Sequence, residues 1–150
     1  MTVALDPTTL QIVRVIPGPV AKVFDAWLVR EEWQAWIGPE GIQCEVPELE
    51  PKVGGNYRVV MHLPNGAIMD VGGAFRVIDP PHRLVFTWGA AGFTDRESLI
   101  TLEFRDLDGK TELTLTQEGL GTVENTEAHK NGWHGALNKL ERYVATGKAD

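Results

Sequence analysis

Cysteine is almost missing from this sequence. Cys44 is the single one, so no internal disulfide can form. That fits a reducing compartment and an expected cytoplasmic location. No paired His or helix start stands beside Cys44 to activate it, and it reads as a small apolar residue in a strand. Basic residues are scarce too: 14 Lys and Arg face 21 Asp and Glu, for a net charge of −7. No stretch gathers them, and a polyanion needs a basic patch, so nucleic acid is not an expected partner. No run approaches the ~20 apolar residues of a membrane span. The opening MTVALDPTTLQIV lacks the basic and apolar regions of a signal peptide. Also missing are GxSxG, a P-loop, GxGxxG and HExxH. His129 and His134 fall on different faces of a helix, His62 and His82 sit at a strand end and in a turn, and no Cys/His cluster exists. Neither a metal nor a cofactor is expected.

What is present is a series of short segments broken by turns. Leu10 to Ile16 reads as a strand rich in β-branched residues. Pro17-Gly18-Pro19 stops it, and Pro19 suits the first turn of a helix in which Val20, Phe24 and Trp27 share a face. A second short helix, about Arg30 to Ile37, carries Trp33 and Trp36 and ends at Gly38-Pro39. Ile42 to Leu49 reads as a strand that Pro47 confines to an edge. NYRVVMHL follows Gly54-Gly55, and Asn65-Gly66 marks a hairpin into AIMDVGGAFRVI, where Gly72-Gly73 suggests a bulge or bend. RLVFTW is the next strand. Arg96 to Arg105 then pairs across Asp108-Gly109 with TELTLTQ.

From about Glu124 the period changes. Trp133, Leu137, Leu140 and Val144 recur at helical spacing, widened by Ala136 and Tyr143, and predict one C-terminal helix of about twenty residues. Lys130, Asn138, Lys139, Glu141 and Arg142 form its polar face, expected to be solvated. Strands grouped together with helices apart imply an α+β fold. Alternation (Ile100, Leu102 and Phe104 against Thr101 and Glu103) implies an antiparallel sheet with one covered face.

In this order, VIPGPVAKVFDAWLVREEWQAWIGPEGI, VGGNYRVVMHLPNG, DPPHRLVFTW, LDGKTELTLTQEG and HKNGWHGALNKLERYV resemble the bacterial single-domain homologues of the activator of heat-shock protein 90 ATPase. These belong to the START-like, helix-grip superfamily, also called SRPBCC. The resemblance runs over nearly the whole chain. It implies one domain over residues 1–150: a curved antiparallel sheet of about six to seven strands wrapped around the long C-terminal helix, with two short helices after the first strand. It also implies an apolar cavity between sheet and helix. Of Trp33 and Trp36, one is expected to pack onto the C-terminal helix and sheet and the other to line the cavity mouth.

The ligand-facing set is then Trp33, Trp36, Tyr57, Val59, Met61, Met69, Val71, Phe75, Phe86, Trp88, Ile100, Leu102, Trp133 and Leu137, most of them also core. Such a lining favours a small hydrophobic molecule with few polar anchors, and the methionines suit loose selectivity. Polar candidates are few. Asp70 points inward only if a bulge flips the alternation there and is solvated otherwise. Arg96 and Glu97 read as an exposed pair.

Two other roles stay open beside ligand binding. One is a co-chaperone-like protein contact, although eukaryotic activators carry an additional N-terminal domain for which these residues leave no room. The other is a cyclase- or hydrolase-type enzyme using the same cavity. No residue nominates itself as catalytic. A free sheet edge leaves a homodimer open.

Overall fold

The computed structural model describes residues 6–90 and 97–149. Strand β1 (Leu10–Ile16) is followed by helices α1 (Val20–Asp25) and α2 (Arg30–Trp36). Strands β2 (Gln43–Leu49), β3 (Asn56–His62), β4 (Ile68–Asp79), β5 (Arg83–Ala90), β6 (Ser98–Asp106) and β7 (Thr111–Glu118) form a meander, and helix α3 (Val123–Thr146) ends the fold. All seven strands make one antiparallel sheet in the order β1-β7-β6-β5-β4-β3-β2. This is the helix-grip arrangement: the sheet's apolar face closes over α3, with α1 and α2 at one side. No helix among the described residues is long and apolar enough to cross a membrane.

Local chemistry explains the boundaries. Pro19 precedes α1 in extended conformation, where a missing N–H costs nothing. Thr122 Oγ1 accepts the Asn125 N–H at 3.0 Å and caps α3. Gly147 closes the other end in the left-handed region that glycine enters freely, its N–H donating to Tyr143. At the Asn65-Gly66 hairpin, Leu63 N–H donates to the Ala67 carbonyl and Asn65 Oδ1 accepts the Ala67 N–H.

Pro47 lies in the edge strand β2, where the register shifts between Glu45 and Glu48. Three expectations need correction. The irregularity in β4 falls between Phe75 and Val77, not at Gly72-Gly73. Those glycines keep regular pairing, and Gly73 is required by close approach: a Cβ there would sit 2.0 Å from the Thr87 carbonyl oxygen. Second, α1 ends at Asp25, so Trp27 is buried from a turn and not from the helix face. Third, the polar face of α3 is not simply solvated. Lys139 is buried, Arg142 pairs with Glu40, and Arg14 reaches across from β1 to Asn138 at 2.6 Å and Glu141 at 3.0 Å. Arg96 lies outside the described residues, and the strand it was expected to begin starts at Ser98.

Candidate functional site

Alternation along β3 to β6 turns Tyr57, Val59, Met61, Val71, Phe75, Phe86, Trp88, Ile100 and Leu102 inward, against Trp133, Ala136, Leu137 and Leu140 of α3. Most of this space is full. Val59, Ile100, Leu102 and Leu137 have no solvent exposure. Tyr57 stands at the hub of an aromatic cluster, with ring centroids 5.6 Å from Phe86, 5.7 Å from Phe75 and 5.2 Å from Trp33.

Both α2 tryptophans belong to this packing. Trp36 packs edge-on to Trp27 at 4.6 Å, and its Nε1 donates to the Ala26 carbonyl at 3.1 Å. Trp33 lies against Tyr57 and Phe86, with its Nε1 buried and without an acceptor among the described residues. Neither reaches the cavity mouth, which corrects the expectation for one of them. The side chains at i and i+3 do share the inner face, and that face meets core on both.

An open recess of about 200 Å³ remains where the first half of α3 stands over the ends of β3, β4 and β5. Ile37 to Pro39 form one wall, Ala128, Gly132, Trp133 and Ala136 another, and Met61, Met69 and Trp88 the floor. Of the expected ligand-facing residues, the structure gathers Met61, Met69, Trp88 and Trp133 here, sets Val71 in the lining of an adjoining hollow and leaves the others in the closed core. Met69 is half exposed at the rim.

Two polar devices hold the recess, and neither was read from the sequence. The first is a buried relay. Trp133 Nε1 donates to Gln117 Oε1 at 2.8 Å, Gln117 Nε2 donates to Ser98 Oγ at 2.8 Å, and Ser98 Oγ donates to the Trp88 carbonyl at 2.8 Å. It starts and ends at the two tryptophans that flank the recess. The alternation Leu113, Leu115, Gln117 was enough to place Gln117 inside. The second is Lys139, whose ammonium donates to the carbonyls of Ile37 at 3.1 Å, Gly38 at 3.3 Å and Ile42 at 3.3 Å. A buried charge needs such partners, and here they pin the loop that forms a wall. The same loop touches α3 so closely that a Cβ on Gly135 would lie 2.7 Å from the Glu40 nitrogen.

Burial is the leading influence on three titratable groups nearby. Burial pushes the Tyr57 phenol well above its ordinary range, helped by the Glu97 charge, and its hydroxyl donates to the Thr87 carbonyl at 2.5 Å. Burial pushes the Cys44 thiol up to about 11, against a smaller opposing pull from Lys139. Desolvation, then Arg14 and Lys130, hold His134 below its usual value, and its Nδ1 meets Arg14 at 3.0 Å. Asp70 points outward, held by Arg58 at 2.5 Å. A separate polar groove of about 550 Å³ runs between α2, β2 and the end of α3. Its charges are engaged by Arg142–Glu40, Arg30–Glu31 and His62–Glu45 pairs. Among the described residues no three His, Cys, Asp or Glu side chains converge to hold a metal. The recess is smaller than this groove and its lining is largely apolar.

The model for the family described as "Activator of Hsp90 ATPase homolog 1-like protein" matches residues 17–145. Among solved structures, a protein from Chromobacterium violaceum is similar at 26% identity and TM-score 0.85, over 93% of this chain and 98% of that one. The AHSA1 protein from Silicibacter pomeroyi is similar at 26% identity and TM-score 0.76, over 93% and 99%. A protein from Arthrobacter aurescens shares the fold at 20% identity and TM-score 0.85, over 99% and 94%. No curated protein sequence matches the chain.

Proposed function

The chain belongs to the family of activator of Hsp90 ATPase homolog 1-like proteins, and on that premise we propose that it binds a small hydrophobic molecule in the recess between sheet and α3. The observation that carries this reading is the recess itself: an apolar hollow of about 200 Å³, floored by Met61, Met69 and Trp88 and walled by Trp133, in a fold that commonly takes hydrophobic ligands. Its size favours one aromatic ring or a short alkyl chain, since an apolar cavity of roughly 150 Å³ already takes up benzene. At ~0.8 kcal/mol per buried methylene, and after the cost of immobilising the ligand, the affinity is on the order of 0.1–1 mM. Anything tighter draws on polar anchors or on opening of the aromatic core.

Titration with a one-ring apolar ligand tests the reading. Quenching of tryptophan fluorescence is expected to saturate. At ten times Kd the native state gains about 1.4 kcal/mol, and the melting temperature rises by roughly 3–6 °C. A flat fluorescence titration with an unmoved melting temperature contradicts it. The family description also supports a second reading, contact with an Hsp90-type chaperone. That reading predicts a changed chaperone ATPase rate on adding this protein with no small molecule present.

A further inference from the structure

The apolar recess is not closed on its solvent side. It opens into a more polar hollow of about 580 Å³, and the two share Met69, Trp88, Asn125 and His129. The second hollow carries several polar groups whose partners are known. Asp70 is held by Arg58, and the Ser98 hydroxyl spends its proton on the Trp88 carbonyl. Asn125 gives one Nδ2 hydrogen to the Leu120 carbonyl at 2.9 Å, which leaves Oδ1 to accept and one hydrogen to donate. His129 Nδ1 lies 2.9 Å from the Asn125 carbonyl. A carbonyl only accepts, so Nδ1 carries the hydrogen and Nε2 of the uncharged ring is an acceptor.

Glu97 is half-buried in this lining and has no ion-pair partner among the described residues. Its charge is felt as far as the Tyr57 hydroxyl. No Lys or Arg belongs to the described lining. The start of α3 carries partial positive charge, but Thr122 Oγ1 already takes an N–H there and Glu124 sits in the first turn. Among the described lining residues Glu97 is thus a negative charge without an ion-pair partner, and Asn125 Oδ1 and His129 Nε2 can accept beside it. Trp88, common to both compartments, is the ring type that attracts an ammonium best.

We propose that the ligand is a small amphipathic amine, its ring or short chain in the recess and its ammonium group in the adjoining hollow against Glu97, with His129 and Asn125 as further acceptors. This rests on the reading of the recess as a binding site and adds the polarity of the other end.

Three probes of matched size separate the two claims: ethylbenzene, 2-phenylethylamine as its ammonium form and 3-phenylpropanoate. Their affinities are compared by tryptophan fluorescence in low salt. The amine is expected to bind at least ~tenfold tighter than the carboxylate, with ethylbenzene between them and the gap shrinking in ~0.5 M salt. Glu97→Gln is expected to erase the difference between amine and ethylbenzene. Equal binding of amine and carboxylate, or an undiminished amine preference in Glu97→Gln, overturns the inference while leaving the recess reading standing if ethylbenzene binds. Failure of all three probes to bind overturns both.

Discussion

Trp133 on α3 donates its indole N–H to Gln117 on β7 at 2.8 Å, inside an otherwise apolar interface, and Gln117 passes the bond on to Ser98. Gln117 is fully buried, so no water stands ready to replace it. Gln117→Leu leaves the Trp133 donor without an acceptor, a loss of about 1–3 kcal/mol. Chemical denaturation is expected to show that loss. Adding Trp133→Phe to the variant restores part of it, because the orphaned donor disappears. A Gln117→Leu protein as stable as the parent contradicts the relay.

The two α2 tryptophans are expected to differ when each is changed to Phe. Trp36 loses a made hydrogen bond to Ala26, whereas Trp33 loses an N–H that has no acceptor. Trp36→Phe is therefore the more destabilising, by about 1 kcal/mol, and Trp33→Phe costs only packing. Trp36 is also away from the recess lining, so truncating it to Ala lowers stability by about 3–5 kcal/mol more than it weakens ligand binding. Thermal melts of the two Phe variants decide the ranking, and equal losses count against it.

Two glycines three residues apart on α3 have opposite roles. A Cβ on Gly132 meets only Pro39, at an ordinary 3.6 Å, whereas one on Gly135 meets the Glu40 backbone nitrogen at 2.7 Å. Gly132→Ala is expected to stabilise by about 0.5–1 kcal/mol through helix propensity, while narrowing the recess it lines and weakening ligand binding. Gly135→Ala pushes the loop off the helix and destabilises by about 1–3 kcal/mol. Loss of stability in Gly132→Ala contradicts this packing.

Cys44 titrates late. Burial raises its thiol from 9.0 to about 11. Between those values the unfolded chain gives up the proton first, so folded stability falls as pH rises from about 9 to 11 and is intact below that window. At pH 8.5 a thiol reagent is expected to react much more slowly with the native protein than with the urea-unfolded chain. Equal rates contradict the burial.

The sheet was legible because its signals are local. Asn65-Gly66 and Asp108-Gly109 carry their own turn geometry, the alternating strands show which face is covered, and the period of α3 is unbroken from Trp133 to Val144. The site was legible only in part. Met61, Met69, Trp88 and Trp133 follow from alternation and helical spacing. Whether an inward residue meets open space or another side chain depends on packing across the sheet, which leaves no mark on the chain. Trp33 and Trp36 show this: their spacing put them on one face, but the core, not the recess, met it. Lys139 was misread as solvated because its partners are backbone carbonyls of a loop far away in sequence, and carbonyls are the same for every residue. The bulge near Val77 has no glycine to announce it, whereas Gly73, which does, serves close packing.

The five tryptophans give the most direct test of the central claim, through their indole N–H resonances in a two-dimensional NMR titration with ethylbenzene. Trp88 and Trp133, which border the recess, are predicted to shift saturably, while Trp33 and Trp36 stay in place. Absence of any saturable shift, or a largest shift at Trp33 or Trp36, contradicts binding in the recess.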